Sequence, residues 1–244
     1  MLKYTQKITI PCYDADASWR LKPTSFMNYA QEAAGNHAVH LGFGYDDLIA
    51  SNTAWILSRV HVEFPDAPRW REEMTLHTWH KGLNRLFFLR DFLMTDNEGR
   101  ERVKATTSWL ILNLETRRLV RDPKLIEEGT VCTENVIETP ADKVQMPKDV
   151  EAEHVMDHVV AYSDVDMNAH ANNAMYMQWA MDAVDYAIAS SRPVKEFTIN
   201  FNHETKFGDV VSIYKARVEQ EDGLHVFVEG KVGDQSAYCV EIVF

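Results

Sequence analysis

Residues 162–187 read YSDVDMNAHANNAMYMQWAMDAVDYA. Asp164 and Asp166 end a strand-like run, a polar connection carries Asn168 and His170, and an apolar run at helical spacing follows. One capping side chain is enough to start a helix. Here a carboxylate, an amide and an imidazole stand at alternate positions, with Asn172 and Asn173 behind them. In an extended segment alternate side chains share a face, so Asp166, Asn168 and His170 are expected to project toward one place.

The same pattern occurs earlier. Residues 13–38, YDADASWRLKPTSFMNYAQEAAGNHA, again give two aspartates two apart, a polar connection and a helix, about 150 residues upstream. After this first block come strand-like runs at 53–64, 74–80, 86–95 and 103–114; after the second come 196–202, 210–219, 224–232 and 236–243. Turn signals at Asp96-Asn97-Glu98-Gly99, Glu221-Asp222-Gly223 and Gly233-Asp234 separate neighbouring runs. Each half therefore reads as strand, helix and antiparallel meander, an α+β class. Between them, residues 127–153 are acidic, carry Pro140 and Pro147, and show weak periodicity, as a linker or crossover does. The expected division is 1–130, a linker at 131–153, and 154–244.

Small residues dominate the apolar faces of both helices. Phe26, Ala30, Ala33, Ala34 and His37 line one; Ala171, Ala174, Ala180, Ala183 and Ala187 line the other. Small side chains let a helix lie close against a curved sheet, so each is expected to be a long central helix wrapped by its own strands.

Composition narrows the function classes. The chain has 244 residues, 45% of them apolar, which suffices for real cores. No run approaches the roughly 20 apolar residues of a membrane span, and MLKYTQKITIP lacks the apolar centre of a signal peptide, so a cytoplasmic protein is expected. The net charge of −12 opposes general attraction to nucleic acid or an anionic membrane. Cys12, Cys132 and Cys239 have no CxxC spacing, which points to reduced thiols rather than disulfides or zinc. His37 with His40, and His154 with His158, lack a third ligand at a recurring spacing and read as ordinary surface or core histidines. Leu41-Gly42-Phe43-Gly44 reads as a helix stop, not a phosphate loop, and the absence of GxSxG argues against an α/β serine hydrolase.

These residues carry a resemblance. The doubled helix-in-sheet unit resembles two tandem hotdog domains, and the chain as a whole resembles the acyl-acyl carrier protein thioesterases of the plant and bacterial type. The family pattern Asp-x-Asn-x-His, then x-Asn-Asn and an aromatic, is matched by Asp166, Asn168, His170, Asn172, Asn173 and Tyr176. In INFNHETKFGD at 199–209 the family glutamate is present as Glu204, while the cysteine that often follows it is replaced by Thr205, which disfavours a thiol nucleophile. The resemblance implies release of free fatty acid from acyl-acyl carrier protein in fatty acid synthesis, with water and no metal or organic cofactor.

Thioester hydrolysis needs a nucleophile, a stabiliser for the tetrahedral oxyanion and a proton for the leaving thiol. Glu204 and His170 are expected to activate water or relay its proton, and Asn168 to position the reacting groups. Asp166 is expected either to orient them or to attack the carbonyl to give a mixed anhydride. Asn172 and Asn173, at the positive end of a helix, offer oxyanion binding, with Tyr176 beside them. The first copy has Asp16, Ser18 and Arg20 at the corresponding places, so it lacks the amide and the imidazole and is expected to bind rather than to react. Met27, Trp55, Ile56 and Trp109 are expected to wall an acyl site there.

Arg117, Arg118 and Arg121 offer a docking patch for the acidic carrier protein and its phosphopantetheine phosphate, against the alternative of an ordinary solvated surface. Other readings stay open: an acyl-coenzyme A thioesterase, a hotdog dehydratase, and a noncatalytic acyl-binding module. Residues 166, 168 and 170 could also do no more than cap the helix. A pseudo-dimer within one chain leaves both a monomer and a homodimer open.

Overall fold

The computed structural model describes residues 2–120 and 130–244; Arg121 lies outside them. In the first half β1 (Tyr4–Thr9) precedes helix α1 (Pro23–His40) and the short helix α2 (Tyr45–Ala50). Strands β2 (Thr53–Glu63), β3 (Glu73–Asn84), β4 (Phe87–Thr95), β5 (Glu101–Asn113) and the short β6 (Leu119–Val120) follow. The second half runs β7 (Glu153–Val159), α3 (Asn173–Ala183), α4 (Tyr186–Ser191), β8 (Glu196–Phe201), β9 (Val210–Gln220), β10 (Gly223–Val232) and β11 (Gln235–Val243). The meander strands expected from the sequence all form, with ends shifted by a few residues.

The strands make one antiparallel sheet ordered β1-β3-β4-β5-β2-β8-β11-β10-β9-β7, with β6 paired to β5. Read from its two ends inward, the order is the same in both halves. They join where β2 pairs antiparallel with β8, from Arg59 opposite Asn200 to Glu63 opposite Glu196. One hydrophobic core spans both halves, with Phe26, Ala33, Ala174, Met177, Trp179 and Ala180 from the helices buried against Val62, Leu76, Phe92, Ile199, Ile213 and Tyr238 from the sheet.

Alanines on both helices are buried as expected, and α1 and α3 also touch each other. Helix α1 starts with Pro23 at its first position, where the missing N–H costs nothing, and ends in a Schellman motif. There Gly42 has φ +78°, its N–H donates to Val39 O at 3.1 Å, and the Phe43 N–H donates to Ala38 O at 3.1 Å. The glycine in Leu41-Gly42-Phe43-Gly44 is thus a helix stop.

The second helix corrects an expectation. α3 has 11 residues against 18 in α1, because Val184 and Asp185 leave helical geometry, and Ala187 is exposed on the separate α4. The break lets the Asp185 carboxylate reach Lys215 Nζ at 2.9 Å and Arg217 at 2.5 Å on β9. Charge pairing with the sheet here overrides helix continuation.

The acidic, proline-bearing segment is a crossover strapped to the sheet. Its backbone meets Trp79 Nε1 at Glu134 O (2.8 Å), Asp91 Oδ2 at Val136 N (2.8 Å), Lys81 Nζ at Ile137 O (2.8 Å) and Asn200 Oδ1 at Val144 N (2.8 Å). Its own Cys132, Ile137, Ala141 and Val144 are buried.

Candidate active site

The stretch from Asp166 to His170 is a closed turn, which corrects the extended reading. The Asp166 N–H donates to His170 O at 3.0 Å, the Ala169 N–H donates to Asp166 O at 3.0 Å, and Ala169 takes φ +60°. The Asp166 carboxylate accepts from the Asn168 N–H at 2.8 Å and from Asn172 Nδ2 at 3.4 Å. An aspartate bonding the backbone two residues on is an Asx turn, and local bonding of this kind wins over an extended strand in a short polar connection. Both oxygens of Asp166 are therefore engaged in shaping the turn.

The next residues fix the turn against a second segment. The Ala171 N–H donates to Thr205 O at 2.9 Å. Tyr176, on the first turn of α3, is buried, and its hydroxyl accepts from the Thr205 N–H at 3.0 Å and lies 3.1 Å from Thr205 Oγ1. Burial raises the Tyr176 pKa, so it stays a neutral phenol. Tyr176 thus holds Thr205 rather than facing open space, a correction to its expected contact with a ligand. Thr205 supplies the hydroxyl and carbonyl that seat this loop.

The consequence is that Glu204 comes to His170. His170 Nε2 and Glu204 Oε2 are 3.4 Å apart, with the two side chains 30% and 39% exposed. Arg117 joins them from the turn between β5 and β6, its Nη2 4.0 Å from Glu204 Oε2. Sequence reading placed Arg117 in a docking patch and missed this pairing; its positive φ of 56° in a turn far along the chain gave no signal of it. Arg118 is exposed beside it. Asn168 is exposed at the tip of the turn.

Asn172 is the N-cap of α3, its Oδ1 accepting from the Ala174 N–H at 2.9 Å. Asn173 instead lines a small cavity of about 20 Å³ with Phe26, Met27, Leu57, Val60 and Trp109. The cavity runs from the start of α3 into the first half, between α1 and the sheet. Met27 and Trp109 both line this cavity, and Trp109 is held by donation from its Nε1 to Thr107 Oγ1 at 2.8 Å. Trp55 packs one layer out, against Trp109, Phe88 and Phe43. Ile56 is a correction: strand alternation puts it on the face opposite Trp55 and Leu57, and it does not line the cavity.

The first half repeats the backbone bonding of the turn. Asp16 N–H donates to Arg20 O at 2.8 Å, Ser18 N–H to Asp16 Oδ1 at 2.8 Å, and Leu21 N–H to Pro68 O at 2.7 Å, with Trp19 at φ +67° where Ala169 has +60°. The equivalence of Pro68 and Thr205 sets Ala67 in the place of Glu204. Of the four groups in the second half, the first retains only the turn-forming aspartate.

The histidine pairs are used otherwise: His158 Nε2 lies 2.8 Å from Asp164 and His154 Nε2 3.0 Å from Asp157. Among the described residues, His61, Glu63 and Glu196 at the β2–β8 seam bring ligand atoms within 4.8 Å of one another and have the chemistry to hold a cation. None of them belongs to the turn. No helix among the described residues is long and apolar enough to cross a membrane.

Comparison with known proteins identifies the family. Residues 1–128 match the acyl-ACP thioesterase N-terminal domain and residues 147–242 the C-terminal domain. The oleoyl-acyl carrier protein thioesterase of Coriandrum sativum is 25% identical over 97% of this chain and 68% of its own length. The palmitoyl-acyl carrier protein thioesterase of Gossypium hirsutum is 28% identical over 83% of this chain and 52% of its own. The chain thus spans from about half to about two-thirds of the length of these curated relatives. The crystal structure of an acyl-ACP thioesterase from Bacteroides thetaiotaomicron superposes with TM-score 0.88 at 26% identity, covering 99% of this chain and 97% of that one. The 12:0-ACP thioesterase of Umbellularia californica shares the fold, with TM-score 0.85 at 22% identity over 99% of this chain and 93% of the other. With both family domains matched along nearly its whole length and a fold shared throughout, the chain belongs to the acyl-ACP thioesterases, a family of thioester hydrolases.

Proposed function

We propose that the chain hydrolyses the thioester of an acyl-acyl carrier protein and releases the free fatty acid. The observation that carries this reading is the approach of His170 Nε2 to within 3.4 Å of Glu204 Oε2, with His170 three residues along the chain from Asn173, which lines an apolar cavity. The halves are two tandem hotdog units, 1–130 for the acyl chain and 154–244 for the chemistry, joined by the crossover at 131–153.

In the reaction, water attacks the thioester carbonyl carbon while Glu204 and His170 accept its proton. The tetrahedral intermediate collapses, the carbon–sulfur bond breaks, and the same proton passes to the departing thiolate. The exposed amide of Asn168 orients the carbonyl, and backbone N–H groups at the start of α3 favour the oxyanion. Asp166 orients the turn and does not attack, since both its oxygens are hydrogen-bonded within it. Arg117 and Arg118 stand beside the site, where the carrier's acidic surface and phosphopantetheine phosphate would arrive.

The test is incubation with acyl- and 3-hydroxyacyl-carrier protein, and with the matching coenzyme A esters, reading free thiol and enoyl product. Thiol release from the carrier-bound acyl chain is expected. Enoyl product without thiol would assign a dehydratase, and release from coenzyme A esters alone would remove the carrier as partner.

A further inference from the structure

The half that lost the reactive groups has kept a cavity. It holds about 200 Å³, ten times the space at Asn173, and is lined by Asp16, Arg20, Lys22, Phe64, Ala67 and Met181 with α4 residues as far as Arg192. The elements around it correspond to those of the candidate active site: the turn at Asp16–Arg20 to Asp166–His170, Ala67 to Glu204, and the start of α1 to the start of α3. Its lining includes no imidazole, so it has no counterpart of the His170–Glu204 pair.

Its polar groups point to an anion. Among the described residues the guanidinium groups of Arg20 and Arg192 have no hydrogen-bond or ion-pair partner, in a chain whose net charge is −12. Each of the two carboxylates lining the cavity has one oxygen already hydrogen-bonded. Asp16 Oδ1 accepts from the Ser18 and Arg20 N–H groups at 2.8 and 2.9 Å, and Asp182 Oδ1 accepts from Gln178 Nε2 at 2.8 Å. The N-terminus of α1 also opens here, and unlike α3 it has no side-chain cap. Ser18, at the position of Asn168, donates instead to Ser190 O at 2.7 Å and so seats α4 over the cavity. Leu21, Pro23, Phe64, Ala67, Met181 and Val194 supply apolar wall, alongside the polar Thr24, Gln178, Tyr186 and Ser190.

We propose that this cavity is a second, noncatalytic ligand site that binds an alkyl carboxylate, its head on Arg20 and Arg192 and its tail against Phe64 and Met181. A cavity of about 150 Å³ accommodates a six-carbon ring, so this one suits a chain of roughly six to eight carbons. Guanidinium groups match a carboxylate with paired donors. That such a carboxylate is the enzyme's own product class rests on the function proposed above; the site itself does not.

Calorimetric titration of the full chain with sodium octanoate tests this, using wild type, Arg20→Ala/Arg192→Ala, Ala189→Trp to fill the cavity from α4, and Glu204→Gln, each checked for an unchanged melting temperature. Binding by wild type and Glu204→Gln alike, with at least a tenfold weaker affinity in both the arginine-free and the cavity-filled proteins, is the expected result. Octanoate binding unchanged in either of those two proteins, or lost in Glu204→Gln, would overturn the proposal, as would no binding to wild type. No thiol release is read, so failure here is distinct from failure of the hydrolase reading.

Discussion

Ala67 stands in the first half where Glu204 stands in the second. Each directly precedes the carbonyl that receives the turn's N–H, Leu21 to Pro68 at 2.7 Å and Ala171 to Thr205 at 2.9 Å. The same backbone thus carries a carboxylate beside an imidazole in one half and a methyl group in the other. Glu204→Ala recreates the first half's state in the second. Because the side chain is 39% exposed and its backbone neighbours do the holding, steady-state turnover is expected to fall at least ~100-fold with little change in melting temperature. A large melting shift with modest kinetic loss would make Glu204 structural.

Asp166 separates two mechanisms. Asp166→Asn keeps an oxygen to accept the Asn168 N–H, so activity within about tenfold of wild type is expected; Asp166→Ala loses that bond and about 1 kcal/mol of stability as well as activity. If the carboxylate attacked the carbonyl, asparagine would be as dead as alanine. Single-turnover thiol release from the two variants distinguishes the cases.

The cavity at Asn173 holds only about 20 Å³, too little for a long acyl chain unless its walls give way. Trp109 lines it and is pinned to Thr107. Trp109→Ala is expected to move the chain-length preference of kcat/KM toward longer acyl groups; an unchanged profile across a series of acyl lengths would place the acyl chain elsewhere.

His225 gives a pH dependence. Burial alone would lower its pKa, but Glu241 at 2.7 Å from Nδ1 and Asp222 at 3.0 Å from Nε2 more than offset that and raise it. A group whose folded pKa lies above its unfolded value stabilises fully below the unfolded value, about 6.5 for histidine, and loses that stabilisation as pH rises through the folded value. Chemical denaturation across that interval is expected to show stability falling with pH in wild type more steeply than in His225→Gln; parallel curves would refute the pairing.

Much of this was legible in the sequence because it is written twice. Two blocks with the same aspartate spacing and the same run of strands gave the meanders, the crossover and the contrast between His170 and Arg20. Glu204 could be named, but its partner Arg117 lies in a turn whose sequence carries no periodic signal, and only tertiary structure brings the two to 4.0 Å. The Asp166 turn was misread as extended because alternation is the default for a polar stretch after a strand, while local Asx bonding closed it. The early end of α3 followed from a charge contact between Asp185 and cations on β9, about 30 residues away, which no local pattern announces.

The central claim is that His170 and Glu204 act as one unit on one water. Single-turnover release of thiol by His170→Ala, Glu204→Ala and the double variant measures that coupling directly. Losses near 100-fold in each single variant and a similar loss in the double are expected, since residues acting as a unit are strongly non-additive. A double loss equal to the product of the two, near 10⁴-fold, or a single variant at full rate, would show that the 3.4 Å approach of the imidazole to the carboxylate has no part in the reaction.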